Sequence, residues 1–142
     1  MSVPNVISER QILETLPLDG LRILILEDEF LIAMEVEQSC RDYGAADVRI
    51  CRAIDEIGAA TDGSFDFDAA VVDLRLGEAT SLDFARTLFN AGRPFVFATG
   101  YSDPLEMSAS FPGVPVVTKP YLGSDLVEAL ADTVHRRTQM QE

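Results

Sequence analysis

The stretch LRILILEDEF, residues 21–30, places an apolar segment directly against three acids. Residues 21–26 are apolar apart from one arginine, and a short apolar run of this kind is typical of a buried β-strand. Glu27, Asp28 and Glu29 follow without a spacer. Two carboxylates about 4 Å apart repel each other by roughly 4 kcal/mol at an effective dielectric constant of about 20. A cation at the end of this strand is the first candidate to offset that repulsion.

The size and charge of the chain narrow the class of protein. With 142 residues, of which 47% are hydrophobic, the chain fits a single domain with a full core. A net charge of −13 argues against binding to nucleic acid or to an anionic membrane surface. No apolar run approaches the roughly 20 residues that span a bilayer, and the N-terminus lacks a signal-peptide pattern. We therefore predict a cytoplasmic protein without a nucleic-acid or membrane partner.

Strand-like and helix-like segments alternate along the chain. Short apolar runs predict strands at residues 21–26, 46–51, 68–74, 93–99 and 114–118. Helical spacing of apolar residues predicts helices at 30–44, 52–61, 80–92 and 123–137, with a weaker helix at 102–110. Short apolar strands separated by helices imply a parallel sheet. The predicted fold is α/β, a doubly wound, five-stranded parallel sheet with helices on both faces.

Capping residues mark the ends of two of these helices. Thr80 or Ser81 is the predicted N-cap of the helix at 80–92, and Gly92 is its predicted C-terminal stop. Ser124 is the predicted cap of the last helix.

Residues 1–20 lie outside this alternation. Apolar residues recur roughly on one helical face between residues 7 and 16, and a proline then ends the pattern. The segment is either a helix that packs on the domain or on a partner, or a loosely ordered leader, and both interpretations stay open. The predicted division is a leader at 1–20 and one domain at 21–142.

Chemically active side chains stand at the ends of four of the five predicted strands. Glu27 and Asp28 follow the first strand, Asp73 the third, Thr99 the fourth and Lys119 the fifth. In an open parallel sheet, ligands bind beyond the carboxyl ends of the strands. We therefore expect these five side chains to converge at one edge of the sheet.

The residue types at this edge favour phosphoryl chemistry. Asp28 and Asp73 offer hard oxygen ligands that suit Mg²⁺, which orients a phosphoryl group and shields its charge from the acids. Asp73 is a carboxylate that can attack phosphorus and form an aspartyl phosphate. Lys119 can neutralise phosphoryl oxygens as a compact charge, and Thr99 can donate a hydrogen bond to another of them.

These motifs, ILEDE, VVDL, FATG and TKP, resemble in order and spacing the receiver domain of two-component response regulators. The resemblance runs from about Leu21 to the C-terminus and implies a flavodoxin-like (βα)₅ fold. It implies that Asp73 accepts a phosphoryl group from a histidine kinase or a phosphotransfer protein. It also implies that such a protein is a switch that signals through protein–protein binding, assists its own phosphorylation and dephosphorylation, and is not otherwise an enzyme.

The resemblance also assigns roles to the other residues. Glu27 and Asp28 would be the acidic pair that binds Mg²⁺ together with Asp73, and the backbone carbonyl of Arg75 would be a further ligand. Thr99 would be the switch hydroxyl. Lys119 would bind the phosphoryl group, and its peptide bond to the following proline is expected to be cis.

The segment PFVFATGY, residues 94–101, resembles the PFxFATG signature of a receiver subgroup nicknamed FAT GUY. Members of this bacterial subgroup are often single-domain proteins or are attached to kinases of the HWE or HisKA2 type. The resemblance therefore names such kinases as candidate donors, and it leaves a homodimer open.

The sequence departs from the common receiver pattern at three places. Val116 stands where an aromatic residue is common, so the usual coupling of the switch hydroxyl to a swinging ring is absent. After Asp73, Gly77 and Ser81 stand where a proline and a glycine are common. The segment between Thr99 and the family lysine is short and contains three prolines, which predicts a reduced helix.

Two alternatives to a phosphorylated, free-standing receiver stay open. A pseudo-receiver would keep the fold as a binding module without being phosphorylated, and a receiver excised from a hybrid histidine kinase would share the same site. An aspartyl-phosphate hydrolase is disfavoured, because its chemistry needs Asp-x-Asp after the first strand, where this chain has Glu27, Asp28 and Glu29.

Overall fold

The computed structural model describes residues 16–60, 66–77, 79–100 and 104–141. The interpretations proposed for residues 1–15 lie outside this part of the chain. The strands are β1 (Arg22–Leu26), β2 (Asp47–Cys51), β3 (Ala69–Val72), β4 (Arg75–Leu76), β5 (Ala79–Thr80), β6 (Phe95–Thr99) and β7 (Val116–Thr118). The helices are α1 (Phe30–Asp42), α2 (Asp55–Ala60), α3 (Leu82–Ala91), α4 (Pro104–Ser110) and α5 (Gly123–Gln141).

Five strands form one parallel sheet in the order β2-β1-β3-β6-β7. Its side chains alternate between two cores: Leu24 and Leu26 of β1 pack on one face, and Ile23 and Ile25 on the other. The first core is shared with α2, α3 and α4, and the second with α1 and α5. The predicted doubly wound, flavodoxin-like fold is confirmed.

The chain order of the strands reverses at β1, because β1 connects to β2 on one side and β3 lies on its other side. The loops that leave the carboxyl ends of β1 and β3 therefore run in opposite directions. Such a reversal opens a crevice at the sheet edge, where ligands bind in doubly wound folds. The crevice lies beside Glu27 and Asp73, which directly follow these two strands.

Glycines shape the ends of two helices, Gly92 by its backbone conformation and Gly123 by its lack of a side chain. The predicted stop of α3 is confirmed: Gly92 has a φ of +70°, and its N–H group donates to carbonyls in the last turn of that helix. The predicted cap of the last helix is wrong, because α5 already begins at Gly123 and so includes Ser124. A Cβ atom at Gly123 would clash with the side chain of Ser39, so this glycine lets α5 approach α1 closely.

A turn before β1 packs on the domain. Leu18 is fully buried in the core that α1 and α5 share, and its N–H group donates to the carbonyl of Tyr43 at 2.9 Å. The N–H group of Gly20 donates to the carbonyl of Gly44 at 3.0 Å. The sequence-based division assigns this turn to the leader, but its contacts fix it to the end of α1.

The connection from β3 to α3 contains a short hairpin that the sequence pattern does not predict. Its strands β4 and β5 pair antiparallel, Arg75 with Thr80 and Leu76 with Ala79. Leu76 is buried in the core below, which holds the hairpin against the domain. The helix after β6 is reduced, as predicted: α4 has seven residues. None of the described helices is long and apolar enough to cross a bilayer.

Candidate functional site

An open pocket of about 410 Å³ lies at the carboxyl edge of the sheet. The loops after β1, β3, β6 and β7 and the β4–β5 hairpin form its walls. Glu27 lies beneath its floor and is only 2% exposed. The lining residues are Asp28, Glu29, Asp73, Arg75, Gly77, Thr99, Gly100 and Lys119. The structure thus brings the predicted site residues together at one edge.

Lys119 stands at the centre of this site. Its ammonium nitrogen Nζ lies 2.9 Å from Glu27 Oε1, 2.9 Å from Asp73 Oδ2 and 3.1 Å from Glu29 Oε1. Its side chain is 12% exposed, so water screens these contacts only in part. One cation that offsets the repulsion among these acids is therefore the ammonium of Lys119.

Burial and pairing shift the acid–base behaviour of this cluster. Burial lowers the pKa of Lys119, but its hydrogen bonds to Glu27, Asp73 and Glu29 outweigh burial and hold that pKa above its ordinary value. Burial raises the pKa of Glu27 to about 7, although hydrogen bonds from Lys119 and from the Glu29 amide lower it. The charge of Glu27 therefore depends on the lysine beside it.

Asp73 is held through both its backbone and its carboxylate. It lies one residue beyond β3, and its N–H group donates to the carbonyl of Leu26 at 3.0 Å. Its carbonyl accepts a hydrogen bond of 2.6 Å from the hydroxyl of Ser81. The carboxylate oxygen Oδ1 accepts from the Arg75 N–H group at 3.1 Å, and Oδ2 accepts from Lys119. The carboxylate is only 6% exposed, and its side chain faces the pocket.

Asp28 is tied to the hairpin. Its oxygen Oδ2 accepts a hydrogen bond of 2.9 Å from the N–H group of Gly77 at the hairpin turn. Its backbone carbonyl accepts a bond of 3.2 Å from Arg52, whose guanidinium lies over the ring of Phe30. These bonds orient Asp28 at the rim of the pocket.

The acids fit a hard divalent cation. Glu27, Asp28, Glu29 and Asp73 each offer one carboxylate oxygen, and these oxygens all lie within 4.8 Å of one another. Mg²⁺ binds through few carboxylates and keeps several waters, which suits an open pocket with acids at its floor and rim. The cluster holds four carboxylates, and the Lys119 ammonium pairs with three of them, so excess negative charge favours a further cation.

Two hydroxyls complete the site. Thr99 is the last residue of β6 and is buried. Its carbonyl oxygen accepts a hydrogen bond of 2.8 Å from the backbone N–H group of Lys119. The hydroxyl of Tyr121 is buried without a hydrogen-bond partner among the described residues. Burial and the charge of Glu27 raise its pKa. The peptide bond between Lys119 and Pro120 is cis, as predicted.

Sequence reasoning missed three contacts of the site. The carboxylate of Glu29 was seen in the acidic run but not assigned to the lysine. The Gly77 amide and the Ser81 hydroxyl stood out only as departures from a pattern. A backbone N–H group is common to almost every residue type, so the sequence gives no sign that the Gly77 amide donates to Asp28. Only the folded hairpin reveals this bond.

Comparisons with known proteins support the fold. No family model matches the sequence, and no curated protein matches it significantly. Solved structures do match. A CheY-like response regulator receiver domain protein from Methanospirillum hungatei JF-1 is 21% identical, with a TM-score of 0.73 over 86% of this chain and 99% of that one. A response regulator receiver protein from Sinorhizobium medicae WSM419 is 24% identical, with a TM-score of 0.69 over 84% and 98%.

A third structure, the response regulator PhyR from Brucella abortus, is 28% identical with a TM-score of 0.71. The match covers 86% of this chain and 51% of that chain, so this chain spans about half the length of that regulator. The chain therefore has the fold of the receiver domains of response regulators.

Proposed function

We propose that the protein is a receiver that accepts a phosphoryl group on Asp73 from a histidine kinase or a phosphotransfer protein, with Mg²⁺ as cofactor. The observation that carries the proposal is the pairing of Lys119 Nζ with Asp73 Oδ2 at 2.9 Å inside an acid-lined pocket. A lysine fixed at a strand end beside a buried carboxylate supports the proposal, because its ammonium could pair with the oxygens of a phosphoryl group bound to that carboxylate.

The chemistry divides among the residues of this chain. A carboxylate oxygen of Asp73 forms a bond to phosphorus while the bond from phosphorus to the donor's imidazole nitrogen breaks, and the imidazole takes up a proton from solvent. Lys119 then pairs with the phosphoryl oxygens, and the Thr99 hydroxyl donates to another of them. When bound, Mg²⁺ offsets the negative charge that the acids and the phosphoryl group share. The residues that would hold it are Glu27, Asp28, Asp73 and, by its backbone carbonyl, Arg75.

A protein donor is supported by the surface around the pocket mouth. Phe30 and Leu31, the first two residues of α1, are 54% and 78% exposed, and we call them the mouth patch. Phe30 directly follows Glu29 of the cluster. Neighbouring exposed apolar side chains beside a reactive centre are typical of a surface that a protein partner covers.

The sequence signature at residues 94–101 makes kinases of the HWE or HisKA2 type our first candidate donors. The proposed protein is bacterial and cytoplasmic, and it signals by binding other proteins rather than by processing a separate substrate. The same site would serve a free-standing chain and a receiver that belongs to a hybrid histidine kinase. A homodimer is compatible with this role.

The test is the intact mass of the protein after incubation with acetyl phosphate and Mg²⁺. We expect the wild type to gain one phosphoryl group only when Mg²⁺ is present, and to lose it on treatment with hydroxylamine, which cleaves acyl phosphates. Asp73→Asn should gain nothing. Asp132→Asn, which removes an exposed acid from α5, is the matched control and should behave like the wild type.

A wild type that gains no mass from acetyl phosphate or from a phosphorylated histidine kinase, yet binds Mg²⁺, would contradict the proposal. The protein would then be a pseudo-receiver that binds partners without being phosphorylated. A mass gain that persists in Asp73→Asn would show that another residue is the acceptor.

A further inference from the structure

The hydroxyl of Ser81 makes an unusual contact for its position. Ser81 is the N-cap residue of α3, and a serine there ordinarily accepts a hydrogen bond from an N–H group of the first turn. Its side chain makes no such bond. The hydroxyl instead donates to the carbonyl of Asp73 at 2.6 Å and lies 3.3 Å from the carbonyl of Leu74, and the residue is 1% exposed.

This contact bears on the geometry of the acceptor. The sheet ladder ends at Val72, so the peptide that follows Asp73 lies outside the regular strand. The N–H group of Asp73 donates to the carbonyl of Leu26. The carbonyl of Asp73 is its other backbone hydrogen-bonding group, and the hydroxyl of Ser81 holds it. The next peptides lead to the Arg75 N–H group, which supports Asp73 Oδ1 at 3.1 Å. Rotation of the Asp73–Leu74 peptide would therefore displace the support of the carboxylate.

The same connection holds a second acid of the site. The N–H group of Gly77 donates to Asp28 Oδ2 at 2.9 Å. A proline at this position would have no N–H group to donate, and a glycine at position 81 would have no hydroxyl. The two positions after Asp73 at which this chain departs from the common receiver pattern, Gly77 and Ser81, thus each supply a hydrogen bond to an acidic residue of the site.

We propose that Ser81 is a positioning residue for Asp73, and that with the Gly77 amide it holds the connection from β3 to α3 against both acids. The inference rests on the proposed function, since it assigns Ser81 a role in phosphorylation of Asp73. Ser81 itself does not touch the reacting atoms. It acts by fixing the peptide that supports the acceptor carboxylate.

The experiment compares four proteins: wild type, Ser81→Ala, Ser81→Thr and Thr87→Ala. Ser81→Thr keeps the hydroxyl and should rescue the loss. Thr87→Ala removes a hydroxyl that also donates to a backbone carbonyl of α3, that of Asp83 at 3.0 Å, but on the exposed side of the helix. The rate of mass gain is measured over a range of acetyl phosphate concentrations at saturating Mg²⁺, together with the melting temperature.

We expect Ser81→Ala to lower the maximal rate of phosphorylation by about tenfold or more, since a misplacement of about 1 Å can cost on the order of 100-fold. The concentration of acetyl phosphate that gives half the maximal rate should stay unchanged, because Ser81 does not contact the donor. Ser81→Thr should regain most of the rate, and Thr87→Ala should match the wild type.

Unchanged phosphorylation in folded Ser81→Ala, or an equal loss in Thr87→Ala, would overturn the positioning role. Ser81→Gly, which removes the whole side chain of Ser81, replaces Ser81→Ala if the alanine variant does not fold.

Failure of the wild type to gain mass would contradict the proposed function instead. In that case Mg²⁺ calorimetry decides the inference. Ser81→Ala should bind Mg²⁺ several-fold more weakly than the wild type, because its Asp73 carboxylate is displaced. Equal affinity in the two proteins, or no Mg²⁺ binding by the wild type, would overturn the inference.

Discussion

Lys119 is the single lysine of the chain, since the other ten basic residues are arginines. Three carboxylates surround its ammonium, and the planar guanidinium of an arginine could not replace this compact charge. Because the sequence contains no other lysine, a reagent specific for side-chain amines reports on Lys119 alone.

The pairing of Lys119 predicts slow reaction with amine reagents. Burial disfavours its charge, but hydrogen bonds to Glu27, Asp73 and Glu29 outweigh burial, raise its pKa and so deplete the neutral amine. A succinimidyl ester at neutral pH should therefore leave Lys119 unlabelled in the native protein and label it in the unfolded protein. Intact mass and peptide mapping locate the label. Lys119→Arg is the control and should take no side-chain label in either state, and equal labelling of Lys119 in native and unfolded wild type would contradict the pairing.

The two cysteines should be unreactive in the native protein. Burial raises the pKa of Cys40 to about 12 and that of Cys51 to about 11, and both thiols are free. The thiolate is the nucleophile, so at about pH 8 little of either residue is reactive. We expect no mass gain from iodoacetamide in the native state and alkylation of both cysteines in denaturant. Rapid alkylation of the native protein would show that one thiol is exposed.

At the scale of the element, the turn before β1 behaves as part of the domain. Leu18→Ala should lower the free energy of unfolding by about 2–5 kcal/mol, because it removes a fully buried side chain from the core beside α1 and α5. Urea denaturation measures the change. Leu31→Ala truncates the same side chain at a site that is 78% exposed and should change stability by less than about 0.5 kcal/mol. Equal effects would show that the turn does not contribute to the core.

The mouth patch, at the N-terminus of α1, should matter for protein donors alone. We expect Leu31→Ala to slow phosphorylation by a phosphorylated histidine kinase several-fold, because a docking partner loses apolar contact there. Phosphorylation by acetyl phosphate should stay at the wild-type rate. Leu82→Ala, which truncates an exposed leucine of α3 outside the patch, is the control. A loss with both donors would place the defect in the site rather than in docking.

At the scale of the whole molecule, a net charge of −13 opposes folding through self-repulsion, and the acid cluster concentrates that repulsion. Mg²⁺ should stabilise the protein more than NaCl of equal ionic strength, by about 2.7 kcal/mol at about 100 times its Kd. Asp28→Asn should remove most of this difference, and Asp132→Asn should keep it. Thermal melts measure the effect, and an Asp28→Asn variant as responsive as the wild type would contradict the role of Asp28.

The sheet follows from the sequence because its strands are short apolar runs, and such runs separated by helices have few alternatives to a parallel sheet. The strand ends were predicted less well. The apolar run at 68–74 predicts one strand, whereas β3 comprises Ala69–Val72, because the side chain of Asp73 faces the pocket beyond the end of the strand. The β4–β5 hairpin was missed, since two-residue strands lack a pattern long enough to detect.

The convergence of Glu27, Asp73, Thr99 and Lys119 could be predicted because parallel strands end at one edge. The individual hydrogen bonds and ion pairs among these residues could not be predicted. Which acid meets Lys119 Nζ depends on side-chain rotamers, and the link from Ser81 to Asp73 depends on how a hairpin folds back over the sheet. Such contacts join residues whose spacing in the sequence carries no periodic signal.

The buried phenol of Tyr121 gives the molecule an optical property. The chain contains three tyrosines and no tryptophan, so its near-ultraviolet spectrum comes chiefly from three phenol rings. Only Tyr121 among the described residues has a buried hydroxyl without a hydrogen-bond partner, and the charges of Glu27, Lys119 and Asp73 act on it. Any cation or phosphoryl group that rearranges those charges changes the field across this ring. The protein thus carries a native chromophore within reach of the charges of the acid cluster, and binding at the cluster can be followed by difference absorption without a label.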